Sequence, residues 1–133
     1  MFKSVLIKDY MTKKLLTVTP DTDISDAIKI LNKHNISGAP VLDEHGNLVG
    51  MLSEKDCLEV ALHSSYNEDW RGGTVADYMS ANVEVLNDSV SVLELADKFL
   101  KCSYKRFPVL NDSGELVGQI SRSDVLRALE ILW

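Results

Sequence analysis

The stretch PVLDEHGNLVGMLSEKD at residues 40–56 returns as PVLNDSGELVGQISRSD at residues 108–124, 68 positions later and without a gap. A repeat of this kind constrains the fold before any other feature, because whatever one copy builds the other builds again. The same offset pairs Asp9, Tyr10 and Met11 with Asp77, Tyr78 and Met79, and Leu58 with Leu126, so the duplication covers most of the chain.

Each copy reads as strand, turn, strand and helix start. In the second copy Val109 and Leu110 open an apolar run. Asn111, Asp112, Ser113 and Gly114 then supply the side chains and the permissive φ that a turn requires. Leu116, Val117 and Ile120 form the return strand, and Ser121 with Asp124 stands at a helix N-terminus ahead of Val125, Leu126, Ala128 and Leu129. Gly50 and Gly118 fall inside the return strands, where a residue without Cβ lets another backbone or a ligand come close.

Half of this chain, at about 60 residues, would be marginal alone. The 45% hydrophobic content suffices for a globular unit in which the two halves are expected to share a core. Lys3, Lys8 and Asp9 interrupt the apolar residues before position 20, and no apolar run approaches the roughly 18 residues of a membrane span. A soluble, cytoplasmic protein is the expectation, with no membrane partner. The net charge of −6 divides evenly, with seven bases and ten acids in each half, whereas a nucleic-acid footprint needs a basic excess. Cys57 and Cys102 lack metal-ligand spacing and read as buried thiols.

Along the chain, residues 1–11 form an amphipathic lead-in with Phe2, Val5, Leu6 and Tyr10 toward one face. Its counterpart is 74–79, where Thr74 and Asp77 make a capping box, and short helices fit both places. Residues 15–18 are a strand candidate halted by Pro20. A helix follows over about 23–34, capped by Asp23, with Ile24, Ala27, Ile28 and Leu31 as its buried stripe. Its copy has Ser91 and Glu94 as the box and Val92, Leu95, Ala96 and Phe99 as the stripe. Lys33, His34, Lys98 and Lys101 sit in last turns, where cations suit the helix dipole. Residues 64–73 form a linker made flexible by Gly72 and Gly73, which gives boundaries of 1–63, 64–73 and 74–133. Tyr66 and Trp70 in that polar stretch call for a surface of the module, a second subunit or a ligand. Trp133 at the last helix suggests a surface that becomes covered.

His34, His45 and His63 are scattered, no nucleophile–base or metal set follows, and the glycines spell neither a P-loop nor a dinucleotide fingerprint. No catalysis, metal or required cofactor is expected.

Two copies of Gly-x-x-Ser-x-x-Asp, each with a Pro-Val strand ten residues before its glycine, resemble a tandem of CBS domains, the regulatory module named after cystathionine β-synthase. The likeness runs over about residues 5–130. It implies an α+β fold: two β-α-β-β-α repeats related by a pseudo-two-fold axis, small sheets flanked by helices, in a free-standing Bateman-type module. The lead-in of such a tandem often packs against the other half.

The resemblance also implies a regulatory adenosine ligand such as AMP, ADP or ATP in a cleft between the repeats. The Asp of each motif would hold ribose hydroxyls, the neighbouring Ser and basic residues would meet phosphate, and adenine would lie against the first strand and the segment before Pro-Val. Carboxylate oxygens can accept from vicinal hydroxyls, and a hydroxyl at a helix N-terminus suits an anion. The same Ser–Asp pairs also satisfy a capping box with no ligand.

Carried over, site A comprises Thr17, Val18, Ile36, Ser37, Gly38, Ala39 and Pro40 with Ser121, Arg122, Ser123 and Asp124. Site B comprises Val85, Tyr104, Lys105, Arg106, Phe107 and Pro108 with Ser53, Glu54, Lys55 and Asp56. Site A is expected to be the better nucleotide site, since Arg122 offers phosphate a fork of donors where site B has Glu54, and Thr17 a hydroxyl where site B has Val85. A homodimer through the apolar surface of Leu58, Leu62, Leu126, Leu129 and Trp133 is implied, with output to an unidentified protein target. The competing class is a ligand-free dimerisation or interaction module of the same fold.

Overall fold

The structure, a computed structural model, describes residues 5–133. The chain forms two compact units, one from residues 16–83 and the other from the N-terminal residues through Leu15 together with 84–133.

In the unit of residues 16–83, α1 (Ile24–Lys33) packs over a hairpin of β1 (Gly38–Leu42) and β2 (Leu48–Ser53), followed by α2 (Glu54–Tyr66) and the single turn α3 (Val75–Tyr78). Asp23 caps α1 by accepting the Ser25 N–H at 2.9 Å, and the stripe buries Ile24, Ala27 and Leu31 with Ile28 half-buried. β1 and β2 pair antiparallel from Gly38 opposite Ser53 to Leu42 opposite Leu48. Their turn is closed by Asp43, whose carboxylate accepts the N–H groups of His45 and Asn47, with Gly46 at φ +81°. The core joins Val18, Ile24, Ala27, Leu31, Ala39, Val41, Leu52, Val75 and Tyr78.

The second unit repeats the plan with β3 (Leu86–Asn87), α4 (Val92–Lys101), β4 (Arg106–Leu110), β5 (Leu116–Ser121) and α5 (Arg122–Leu132). β3 lies parallel to β4, β4 antiparallel to β5. Ser91 caps α4 through the Glu94 N–H, but the Glu94 carboxylate takes the Ser91 hydroxyl instead of completing the box. Phe99 and Phe107, with centroids 5.3 Å apart, anchor a core that includes Ile7, Leu95, Val109 and Ile120.

Four expectations change. The strand at 15–18 reduces to one parallel bridge, Val18 to Val41, because Pro20 ends the segment after a single pairing; its copy reaches two residues in β3. The helix after Ser53 runs through Tyr66, into the stretch 64–73 expected as linker. The core shared by the two halves is built as two cores, one in each unit, Ile7 of the first half entering one and Val75 and Tyr78 of the second half the other. The lead-in forms a 3-10 turn at Ile7–Asp9; its fully buried residue is Ile7, while Val5, Leu6 and Tyr10 are half-buried and Phe2 lies outside the described residues.

What lets units this small close their own cores is an exchange of lead-ins. The Ile7 N–H donates to the Val90 carbonyl, the Val92 N–H to the Val5 carbonyl, and Thr12 and Gln119 exchange two bonds of 2.9 Å. In the other unit the Val75 N–H donates to the Thr22 carbonyl, the Ile24 N–H to the Gly73 carbonyl, and Met51 and Ser80 exchange two bonds of 2.9 Å. The lead-in of each repeat thus completes the unit holding the other repeat's hairpin, as the resemblance implied. It also accounts for the strand glycines. A Cβ on Gly118 would stand 2.5 Å from Met11 Sδ, and one on Gly50 2.7 Å from Met79 Sδ and 2.9 Å from the Ser80 carbonyl oxygen. Of the two close approaches these glycines permit, by a backbone or by a ligand, the one made here is by the chain itself.

Candidate functional site

Each hairpin feeds its second strand directly into a helix, and the junction carries the motif residues. At the β2–α2 junction Ser53 Oγ accepts the Asp56 N–H at 3.1 Å while Asp56 Oδ2 accepts the Ser53 N–H at 2.9 Å. At the β5–α5 junction the equivalent bonds are 3.3 and 2.9 Å. Both Ser–Asp pairs therefore cap their helices, as the residue pattern alone allows.

The junctions differ in what else holds the carboxylate. Asp124 Oδ2 also accepts the Ser121 hydroxyl at 3.1 Å, with the Ser123 hydroxyl 2.8 Å from Ser121 Oγ. Its Oδ1 receives Arg127 Nη2 at 2.7 Å, and the same nitrogen reaches the Tyr10 carbonyl at 3.3 Å. Asp124 is only 5% exposed. At the corresponding place after Asp56 the chain has Glu59, and Asp56 is half-buried with the Ser53 N–H as its bond. Arg127 was not among the residues singled out from sequence. Its signal was there in the exchange of Glu for Arg three positions after an otherwise duplicated Asp.

The remaining site residues fall as follows. In the unit of 16–83, Val18 is buried, its N–H donating to the Pro40 carbonyl, and Thr17 beside it is exposed. Gly38, Ala39 and Pro40 are buried in β1, with Ile36 and Ser37 half-buried at its entry. The Ser37 carbonyl accepts the Glu54 N–H at 2.9 Å, which brings the segment before β1 beside the β2–α2 junction of its own unit. Lys55 is exposed.

In the other unit Phe107 and Pro108 are buried in β4, Arg106 is half-buried, and Val85, Tyr104 and Lys105 are exposed. The Lys105 carbonyl accepts the Arg122 N–H at 3.2 Å. The Arg122 guanidinium lies 5.9 Å from the Phe99 ring centroid with Nη2 3.5 Å from the Cys102 carbonyl oxygen. Within its unit it therefore stands by the segment 102–106, of which Tyr104, Lys105 and Arg106 were assigned to site B, although Arg122 itself was assigned to site A. Each site as drawn takes one residue group from each unit.

Of the two aromatics at 64–73, Trp70 packs in its own unit, donating its indole N–H to Tyr78 Oη at 3.1 Å, while His63 Nδ1 lies 3.0 Å from the same oxygen. Tyr66 is 85% exposed and lines, with Leu62, His63, Asn67 and Trp70, a pocket of about 290 Å³. Cys57 and Cys102 are free and half-buried, one in each unit, and burial pushes the Cys57 thiol up. No helix of the described residues is long and apolar enough to cross a membrane.

Against known proteins, the CBS domain family model matches residues 7–63 and again 75–131. The chain belongs to the CBS domain family, as a tandem pair. A CBS domain-containing protein of Dictyostelium discoideum is 35% identical, the match covering 94% of this chain and 91% of that protein. Among solved structures, Arabidopsis thaliana CBSX2 crystallised in complex with AMP superposes with a TM-score of 0.82 at 30% identity, covering 97% of this chain and 99% of that one. The CBS domain pair of protein MJ0100, in complex with 5′-methylthioadenosine and S-adenosyl-L-methionine, gives 0.77 at 31% identity, covering 97% and 98%.

Proposed function

We propose that this CBS pair is a regulatory module, not a catalyst, that binds an adenosine-containing ligand and alters its assembly or its contacts with a protein target. The observation that carries this reading is the likeness, over nearly the whole chain, to CBS pairs whose crystals hold AMP or S-adenosyl-L-methionine. The two capped carboxylates support it. In this reading Asp56 and Asp124 take ribose hydroxyls, and the second-position amides of α2 and α5, with the hydroxyls of Ser53, Ser121 and Ser123, face phosphate. Site A keeps its group from Thr17 to Pro40 with Ser121–Asp124, and site B its group from Val85 to Pro108 with Ser53, Lys55 and Asp56. The place of Arg122 shifts its donors toward the residues around Tyr104, Lys105 and Arg106. Cytoplasmic residence stays part of the proposal, although a relative from Arabidopsis thaliana is named as chloroplastic.

The test is a thermal-shift panel of AMP, ADP, ATP, S-adenosyl-L-methionine and NAD(H). A ligand at a hundred times its dissociation constant adds about 2.7 kcal/mol of stability. A shift with one or more members supports the reading, and no shift or heat with any of them turns it into the ligand-free module.

A specific observation favours association in either case: Leu58 and Leu62 on α2, and Leu126, Ile131 and Trp133 on or beside α5, are all exposed, Trp133 by 91%. We infer a homodimer through these helices, symmetric pairs being the commonest assembly. Sedimentation should then give about twice the 14.8 kDa chain mass at tens of micromolar. A species of chain mass alone, with and without ligand, contradicts it.

A further inference from the structure

The Arg127 guanidinium joins two features that are separate in the sequence. It holds Asp124 Oδ1 at 2.7 Å and the Tyr10 carbonyl at 3.3 Å, so it ties the candidate ribose carboxylate to the lead-in. An ionised carboxylate offers about four lone-pair positions. Asp124 gives two on Oδ2 to the N–H and hydroxyl of Ser121 and one on Oδ1 to Arg127. About one is left for a vicinal diol that asks for two. Asp56 has no such competitor, since its bond is to the Ser53 N–H and Glu59 replaces the arginine.

We propose that Arg127 is a positioning residue that latches Asp124, and that ribose binding at Asp124 displaces it from Oδ1 and thereby loosens the lead-in. Ligand occupancy is then read out at residues 5–12. The lead-in is suited to this role: among the described residues it is held by few backbone bonds, Ile7 to Val90, Val92 to Val5 and the exchange between Thr12 and Gln119, and by one fully buried side chain, Ile7. Coupling is reciprocal, so whatever the ligand does to the latch, loss of the latch does to ligand affinity. The proposal rests on the adenosine-ligand reading.

The test uses the full chain carrying Asp56→Asn, which silences the other carboxylate while leaving an oxygen for the Ser53 N–H, with AMP as probe. Calorimetry gives the affinity, and amide exchange is followed at Ile7 and Thr12. AMP should speed exchange at both amides by about threefold or more. Arg127→Gln should exchange fast at both without AMP, gain nothing from it, and bind AMP about 1.5- to 5-fold more tightly, the range for an ion pair with one exposed partner. Arg127→Lys keeps a cation beside Asp124, but on a stem shorter than the one that carries Nη2 to both Oδ1 and the Tyr10 carbonyl. It should bind AMP nearly as the parent does while the lead-in exchanges faster.

A purely structural arginine would loosen the lead-in and leave AMP affinity unmoved, which overturns the proposal. So does weaker AMP binding by Arg127→Gln, or saturation by AMP with unchanged exchange. AMP binding to the wild-type chain but not to Asp56→Asn shows that Asp124 takes no ribose, and overturns this proposal while sparing the ligand reading. No AMP binding to the wild-type chain, with none of the other adenosine ligands binding either, overturns both.

Discussion

Replacing Gly118 by Ala tests the exchange of lead-ins directly. A strand Gly→Ala change at an unstrained backbone position should stabilise by about 0.4–1 kcal/mol through the unfolded chain. In this fold the new Cβ meets Met11, with Sδ at 2.5 Å, Cγ at 2.9 Å and Cε at 3.0 Å. All three atoms belong to one flexible side chain, so Met11 can move, at the cost of part of its packing beside the buried Ile7. A cost at the low end of overpacking, about 1 kcal/mol, is expected. At Gly50 the obstacle includes the Ser80 carbonyl oxygen, 2.9 Å away and fixed by the Met51 N–H, which cannot step aside without breaking that bond. Gly50→Ala should cost about 2–3 kcal/mol. For a chain of this size those costs correspond to melting-point drops of roughly 3–6 °C and 6–18 °C. The assay is a double-mutant cycle by urea unfolding. Met11→Ala should remove most of the penalty of Gly118→Ala, with a coupling of about 0.5–1.5 kcal/mol, whereas Met79→Ala should rescue Gly50→Ala only in part. If Gly118→Ala stabilises the protein, or shows no coupling to Met11, the lead-in does not cross β5 and the account of the unit is wrong.

Tyr78→Phe should cost about 1–2 kcal/mol by urea unfolding, because the Trp70 indole N–H and His63 Nδ1 both lose their partner; a Trp133→Phe background lets Trp70 fluorescence report the change locally. The Asp43 carboxyl lies below its ordinary value of 3.8, chiefly through the Asn47 N–H, and Asp23 is lowered by the Ser25 hydroxyl and N–H. A depressed carboxyl stabilises the fold above its unfolded pKa and ceases to as pH falls through the folded one. The melting-point deficit of Asp43→Ala should therefore be full at pH 6 and shrink below pH 3.8; a deficit independent of pH contradicts this. Leu58→Glu combined with Leu126→Glu should convert the proposed dimer to monomer in sedimentation without lowering helix content, since both side chains are exposed in the single chain.

Much of the fold could be read from periodicity and turn chemistry. The stripes of α1 and α4, the hairpins closed at Gly46 and Gly114, and the Ser–Asp caps of α2 and α5 depend on residues within a few positions of one another. What escaped depends on distant residues. Ile7 is buried by Leu95 and its neighbours more than 80 positions away, which no local pattern reports. The bridge at Val18 is a strand reduced by Pro20 to one pairing, whereas its propensity suggested four residues. The candidate site divides in the same way. Ser121 and Asp124 were legible because they are duplicated, and Arg127 was passed over because it is not.

Whether Asp56 and Asp124 hold the ribose of an adenosine ligand is decided by calorimetry of the wild-type chain and of the Asp56→Asn/Asp124→Asn double variant with AMP and S-adenosyl-L-methionine. Asn keeps an acceptor for each Ser N–H, so both caps largely survive, which circular dichroism and melting will register. The account predicts saturable binding to the wild-type chain that weakens at least 10-fold in the double variant, the low end for a hydrogen bond to a charged group. Undiminished affinity in a folded double variant would contradict it.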